Sequence, residues 1–227
     1  MIHEAIQALK EGKFILLYDF DDRERETDLT IAASAVTYQD ICTMRNDGGG
    51  LLCTAVHPLA AERIGLPYAT EILSACNAVE KSGDIKYDRK NHSAFSLWVN
   101  HRDTFTGITD RDRSKTIQEI ANVVKRSLNG GDVEFQNEFR TPGHVPILRA
   151  AQNLLDDRRG QTELSIALAL MAEIVPAVAV CEMLDNFNGY ALSKEEALLY
   201  AEKHGLVFIE GEEVVKYFNK WKHDGKL

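Results

Sequence analysis

Apolar residues recur on two periods along this chain, and the switches between them outline its elements. Ile2, Ala5, Ile6 and Leu9 fall at helical spacing between charged residues, which predicts an amphipathic helix ending near Gly12. Residues 14–18 and 29–36 are apolar runs and predict strands. Thr37 is placed to cap a short helix to about Arg45, which the Asp47-Gly48-Gly49-Gly50 run breaks. A strand over 51–56 follows, then a helix opened by Pro58. Residues 77–91 are polar and irregular, and the alternation of Phe95, Leu97 and Val99 predicts a strand. Beyond it the pattern predicts a helix over about 113–128, a strand over 145–148, a helix over about 162–174 and a strand over 177–182. Ser193 and Glu196 have capping-box spacing for a helix stopping before Gly205. A short strand (206–209) and a helix (212–221) close the chain. Helices and strands interleave without a repeat or composition break. The reading is therefore α+β (mixed α/β), a single compact domain over 1–227 with a mixed twisted sheet covered by helices in layers.

Composition narrows the function without naming it. At 227 residues with 44% apolar and 27% charged positions, the chain can bury a full core. A net charge of −9 argues against a general nucleic-acid binder, which needs a basic footprint, although a local arginine cluster can still hold a small anion. Cys42, Cys53, Cys76 and Cys181 show no metal-like spacing, as expected of scattered thiols in a reducing cytoplasm. The most apolar stretch, 164–180, is interrupted by Glu173 and Pro176, which argues against a membrane span.

The densest chemistry is Asp19-Phe20-Asp21-Asp22-Arg23-Glu24-Arg25-Glu26-Thr27-Asp28, six carboxylates in ten residues between two apolar runs. If extended, it would put Asp22, Glu24, Glu26 and Asp28 on one face, where each adjacent like-charge pair costs about 1 kcal/mol even near water. A hard cation such as Mg²⁺ would remove that penalty; a solvated acidic edge is the bland alternative. His144, after Pro142-Gly143, would be presented on a rigid turn and suits proton transfer, though a histidine is more often structural or merely exposed. Arg158-Arg159-Gly160-Gln161-Thr162-Glu163 at a helix start offers guanidinium groups, free amides and a hydroxyl to a phosphate, or simply caps the helix. Glu182 ends an apolar strand, where open α/β folds build sites. The segment 106–113, opened by Thr106, could complete an anion pocket or cap the next helix. Nucleotide-loop and serine-hydrolase motifs are absent, which leaves metal-assisted acid–base chemistry on a small phosphorylated compound.

These blocks stand in a recognisable order: Asp22–Asp28, Gly49-Gly50-Leu51-Leu52-Cys53, Thr106-Gly107-Ile108-Thr109 with Asp112-Arg113, Arg140-Thr141-Pro142-Gly143-His144-Val145, Gly160-Gln161-Thr162-Glu163 and Cys181-Glu182. Over about residues 3–215 the chain resembles the 3,4-dihydroxy-2-butanone 4-phosphate synthases of riboflavin biosynthesis in their single-function form. The resemblance implies cleavage of D-ribulose 5-phosphate to formate and L-3,4-dihydroxybutan-2-one 4-phosphate. It also implies Mg²⁺ or Mn²⁺ and a homodimer with its active sites near the subunit interface. Carried over by position, Glu24 and Gln161 take the metal. Arg23, Asp28, Thr106, Arg158, Thr162 and Glu182 contact substrate, and His144, Glu182, Glu26 and Cys53 belong to the catalytic set. Two positions depart from the family. Gln161 stands where a metal-binding histidine is usual, which raises the alternative of an impaired homologue that still binds sugar phosphate. Arg25 stands where Gly or Asn is usual, and on an extended segment it would point away from Glu24.

Overall fold

The structure is a computed structural model and describes residues 1–77, 85, 88 and 91–225; most of the irregular 77–91 stretch lies outside the described residues. Among them, seven strands form one sheet: β1 (Ile15–Tyr18), β2 (Thr27–Ala32), β3 (Cys53–Val56), β4 (Phe95–His101), β5 (Phe139–Arg149), β6 (Ala177–Glu182) and β7 (Val207–Glu210). Their order is β4-β5-β3-β6-β2-β1-β7. β1–β7 and β3–β5 are parallel pairs, and the other four are antiparallel. The sheet is mixed, as the sequence predicts.

Helices cover both faces because the central strands are apolar on both. Leu16 and Tyr18 of β1 pack into one core with α2 (Tyr38–Thr43), α3 (Pro58–Ile64), α5 (Asp110–Leu128) and α8 (Lys194–His204). Ile15 and Leu17 pack into the other with α1 (Ile2–Lys10), α7 (Gln161–Met171) and α9 (Gly211–His223). Two short helices, α4 (Ala69–Leu73) and α6 (Phe135–Glu138), complete the set described. α7 is buried on nearly every side, with Leu164, Ile166 and Leu168 at 0% exposure. Each such side chain contributes about 1.5–3 kcal/mol of transfer free energy, so α7 is anchored by packing along its length. No helix among the described residues is long and apolar enough to cross a membrane.

Several boundaries move from their sequence positions. β2 starts at Thr27 and stops at Ala32, where a 3₁₀ turn (Ala33–Ala35) takes over. Thr37 does cap α2, receiving the Asp40 N–H, but α2 gives way at Met44 to a π-helical turn, Met44–Gly48. β5 is much longer than 145–148. Its pairing with β4 jumps from Val99↔Val145 to Asn100↔Arg140, so residues 141–144 bulge out of the ladder. His144 therefore sits on a strand bulge and not on a free turn.

Candidate active site

The register of three strands gathers the polar residues. Asp28 of β2 lies directly opposite Glu182 of β6, and Cys53 of β3 lies opposite Val180, two residues earlier on β6. Side chains alternate along a strand, so all four share the face covered by α7. The N-terminal end of α7 meets them there. The result is a cavity of about 320 Å³ lined by Glu24, Glu26, Asp28, Cys53, Arg158, Gln161, Thr162 and Glu182, among others. Eight of the residues singled out in the sequence meet in it. A larger groove of about 780 Å³ beside α1 includes His3 and His204 but none of the predicted site residues.

The acidic segment reaches the cavity by a route the sequence did not suggest. Residues 21–24 form a turn, and the strand begins only at Thr27. Asp19, 1% exposed, organises that turn: one carboxylate oxygen accepts the Glu24 N–H at 3.0 Å and the Arg23 guanidinium at 3.2 Å, and the other accepts the Glu26 N–H at 3.1 Å. Aspartate is favoured for such local bonds to following amides, which was the available signal. The segment is therefore folded back and not extended. Glu24, Glu26 and Asp28 do converge, whereas Asp22 lines a neighbouring groove. Arg25 is not on an extended segment either; its φ is +60°, which costs a non-glycine residue about 1 kcal/mol.

The N-terminus of α7 supplies the cationic half. Arg158, 9% exposed, pairs with the fully buried Glu163 at 2.7 Å. Glu163 also accepts the backbone N–H groups of Ala151 and Gly160. It is the anchor that holds Arg158 in place, a role the sequence reading did not assign. Gly160 makes the approach possible: a Cβ there would meet Arg158 Nη1 at 2.4 Å and Arg23 Nη2 at 3.0 Å. Arg23 and Arg158 thus come together against Gly160 at the start of α7, where the helix dipole favours an anion. Arg23 is tied on its other side to Asp19 and Glu24.

Gln161 is held by its amide nitrogen, which donates to the carbonyls of Leu17 and Glu26, both at 3.0 Å. That fixes which end of the amide is which and leaves Oε1 buried without a hydrogen-bond partner. Asp28 Oδ1 is buried and unpartnered too. Among the described residues no three His, Cys, Asp or Glu side chains already stand close enough to enclose an ion. The donor set nevertheless fits a hard cation: the orphaned oxygens of Gln161 and Asp28 share one cavity with the Glu24 carboxylate.

Crowding of carboxylates in a buried space shifts their protonation. Burial, then the charge of Glu24, pushes Glu26 up to about 7. Burial, with Glu182 next, raises Asp28 well above the usual carboxylate range, and Glu182 is raised chiefly by burial. Cys53 is raised well above the ordinary thiol value by burial first and Glu182 next. A thiol so placed stays protonated near neutral pH, which suits a wall of the cavity better than a nucleophile.

His144, Thr106 and Arg23 do not line this cavity; Arg23 lines the neighbouring groove with Asp22. His144 and Thr106 lie together at the β4–β5 end of the molecule. Asn100 accepts the His144 backbone N–H at 2.8 Å, and its amide stands 3.1 Å from the His144 ring. Thr106 and Gly107 donate their amides to Asp112. Gly107 packs so tightly on Asn100 that a Cβ would come within 2.1 Å of its amide. Beside this cluster Phe105 is 95% and Ile108 51% exposed.

Comparison with known proteins supplies what the geometry leaves open. Residues 3–217 match the family described as 3,4-dihydroxy-2-butanone 4-phosphate synthase. The chain is 54% identical over 228 residues to the protein of that name from Methanosarcina mazei, covering 97% of this chain and 92% of the relative. It is 52% identical to the one from Archaeoglobus fulgidus, covering 96% and 94%. Among solved structures it is similar to the Candida albicans synthase, with a TM-score of 0.76 and 28% identity over 95% of this chain and 96% of that one. A synthase crystallised in complex with two magnesium ions is similar over 100% and 99% of the two chains, at 27% identity and a TM-score of 0.79.

Proposed function

This chain belongs to the 3,4-dihydroxy-2-butanone 4-phosphate synthase family, and from that premise we propose that the cavity at the N-terminus of α7 is where D-ribulose 5-phosphate loses its carbon as formate. The observation that carries this reading is that Arg158 and Thr162 share one small cavity with the Glu24, Glu26, Asp28 and Glu182 carboxylates, while Arg23 approaches Gly160 beside Arg158 from the neighbouring groove. The substrate's phosphate belongs at the arginine end and its hydroxyl and carbonyl carbons at the carboxylates. Gln161 Oε1 and Glu24 would hold the divalent cation, Mg²⁺ or Mn²⁺. When bound, that cation would act as a Lewis acid, lowering the cost of negative charge that develops on substrate oxygen.

The protein's own groups then account for the proton traffic. A Glu26 carboxyl near pH 7 can take a proton from a carbon next to a carbonyl and return it, because its affinity matches the working pH. Glu182, raised by burial and held by the Leu51 amide at 2.7 Å, is a second proton-transfer group in the same cavity. Asp28, directly across from it, orients a substrate hydroxyl. The orphaned Gln161 oxygen answers the alternative of an impaired homologue, since the amide already offers a hard-cation ligand where the family usually has histidine.

A homodimer completes the site in this proposal. His144 and Thr106 stand away from the cavity beside exposed Phe105 and Ile108, so a second copy brings them to it. The test is direct: purified protein should release formate from ribulose 5-phosphate with added Mg²⁺ or Mn²⁺ and stop when the cation is chelated. No formate under any divalent cation would overturn the proposal.

A further inference from the structure

The orientation of Glu182 is set from outside its own strand. After the π-helical turn Met44–Gly48, the backbone passes through Gly49 at φ +84° and runs antiparallel to residues 182–184. Leu184 donates to the Gly48 carbonyl at 2.8 Å, and Gly50 donates to the Glu182 carbonyl at 3.0 Å. The next amide, that of Leu51, leaves the ladder and donates to Glu182 Oε2 at 2.7 Å. Two successive backbone N–H groups thus grip one residue, the first by its main chain and the second by its carboxylate.

Only a glycine permits that grip. A Cβ on residue 50 would stand 2.4 Å from Glu182 Oε2, 2.7 Å from its Cβ and 2.7 Å from its carbonyl oxygen. Gly50 is not in the left-handed region, unlike Gly49, so the demand there is for space and not for an unusual backbone angle. The turn is itself tied down from the far side: Tyr200 of α8 donates its hydroxyl to Asp47 at 2.6 Å, and the Cys181 thiol donates to the Met44 carbonyl at 3.4 Å. π-turns are concentrated at functional sites, and here one delivers a backbone donor to a carboxylate.

We propose that Gly50 is a positioning residue: its missing side chain lets the Leu51 amide clamp Glu182 Oε2, which leaves Oε1 to exchange protons with substrate. The inference rests on Glu182 being a proton-transfer group in the proposed reaction. Gly50→Ala should reduce formate turnover by roughly 10²-fold, the cost of displacing a reacting group by about 1 Å. The loss should act through Glu182, so in a Glu182→Ala background the same substitution should add less than about threefold, as expected of two changes to one interaction.

A spectroscopic readout keeps the idea falsifiable if Gly50→Ala does not fold. In the folded parent protein the Leu51 amide proton should be shifted downfield and protected from exchange, and Glu182→Ala should remove both properties. A Leu51 amide unchanged by Glu182→Ala, or a Gly50→Ala penalty that multiplies in full on top of Glu182→Ala, overturns the clamp. Absence of formate from the parent protein would sink the proposed reaction instead, and the amide measurement would still decide whether the clamp exists.

Discussion

Gln161 commits both hydrogens of its amide to backbone carbonyls, that of Leu17 in β1 and that of Glu26 just ahead of β2. An imidazole can make only one of those bonds if its second nitrogen faces the cation. Gln161→His should therefore tighten Mn²⁺ binding, and Mg²⁺ binding less, while lowering stability by about 1 kcal/mol for the lost hydrogen bond. Calorimetric metal titration and thermal melts check the two halves separately; no change in either would place Gln161 outside the metal's reach. Glu26 supports a prediction about pH. Its native affinity for a proton, about 7, lies above its ordinary value of 4.5 because burial and then the charge of Glu24 penalise the ionised form. A group raised in the native state stabilises the fold fully below its unfolded value and loses that contribution as pH rises through the native one. The melting temperature of metal-free protein should accordingly fall across that window, and Glu26→Gln should flatten this part of the profile. A divalent cation, added above pH 7, should restore stability by neutralising the exposed penalty. If melting is as flat before the substitution as after it, Glu26 is not the strained carboxylate.

α7 illustrates why some elements could be read from the chain and others could not. Its apolar run and glycine-led start predicted a helix over about 162–174, and the helix stands at Gln161–Met171 with Arg158 just ahead of it. The phosphate prediction belongs to this helix end: Arg158→Ala should weaken ribulose 5-phosphate binding by about 1.5–3 kcal/mol, the range for hydrogen bonds to charged groups. Glu163→Gln should reproduce part of that loss by releasing Arg158 from its buried partner. Equilibrium binding with the unreacted sugar phosphate measures both, and a dissociation constant within error of the parent for Arg158→Ala would rule the placement out. β6 was legible to the residue because its apolar run is bounded by Pro176 and a charged residue. The acidic segment was not, because local apolar flanks suggest an extended chain while Asp19 folds it back through bonds to amides further along. The β5 bulge escaped for a related reason: Pro-Gly signals a turn, and only pairing with β4 shows that the strand continues on both sides of it. Glu163, Asp19 and Gly50 were visible as letters, but their roles depend on partners that the fold, not the spacing, brings near.

Two clusters stand apart in the molecule, the carboxylate cavity by β2, β6 and α7 and the His144 cluster by β4 and β5. If copies complete each other, two inactive variants should rescue one another. Mixing Glu24→Gln with His144→Ser protein under conditions that exchange subunits should restore about a quarter of parental turnover, since half the dimers are mixed and each then holds one intact site. Sedimentation should show a dimer throughout; a monomer at full activity, or mixed protein that stays inactive, would overturn the shared site. The strand order carries a further consequence for how the chain acquires its shape. β6 lies between β3 and β2 in the middle of the sheet, yet it is the sixth strand made. During synthesis β2 and β3 must wait, with one edge each unpaired, until residue 182 has emerged. A nascent chain halted before residue 177 would hold most of the acidic turn and none of the strand that joins the two halves of the sheet. The cavity therefore cannot close before β6 has emerged, and until then two strand edges stay open to mispairing.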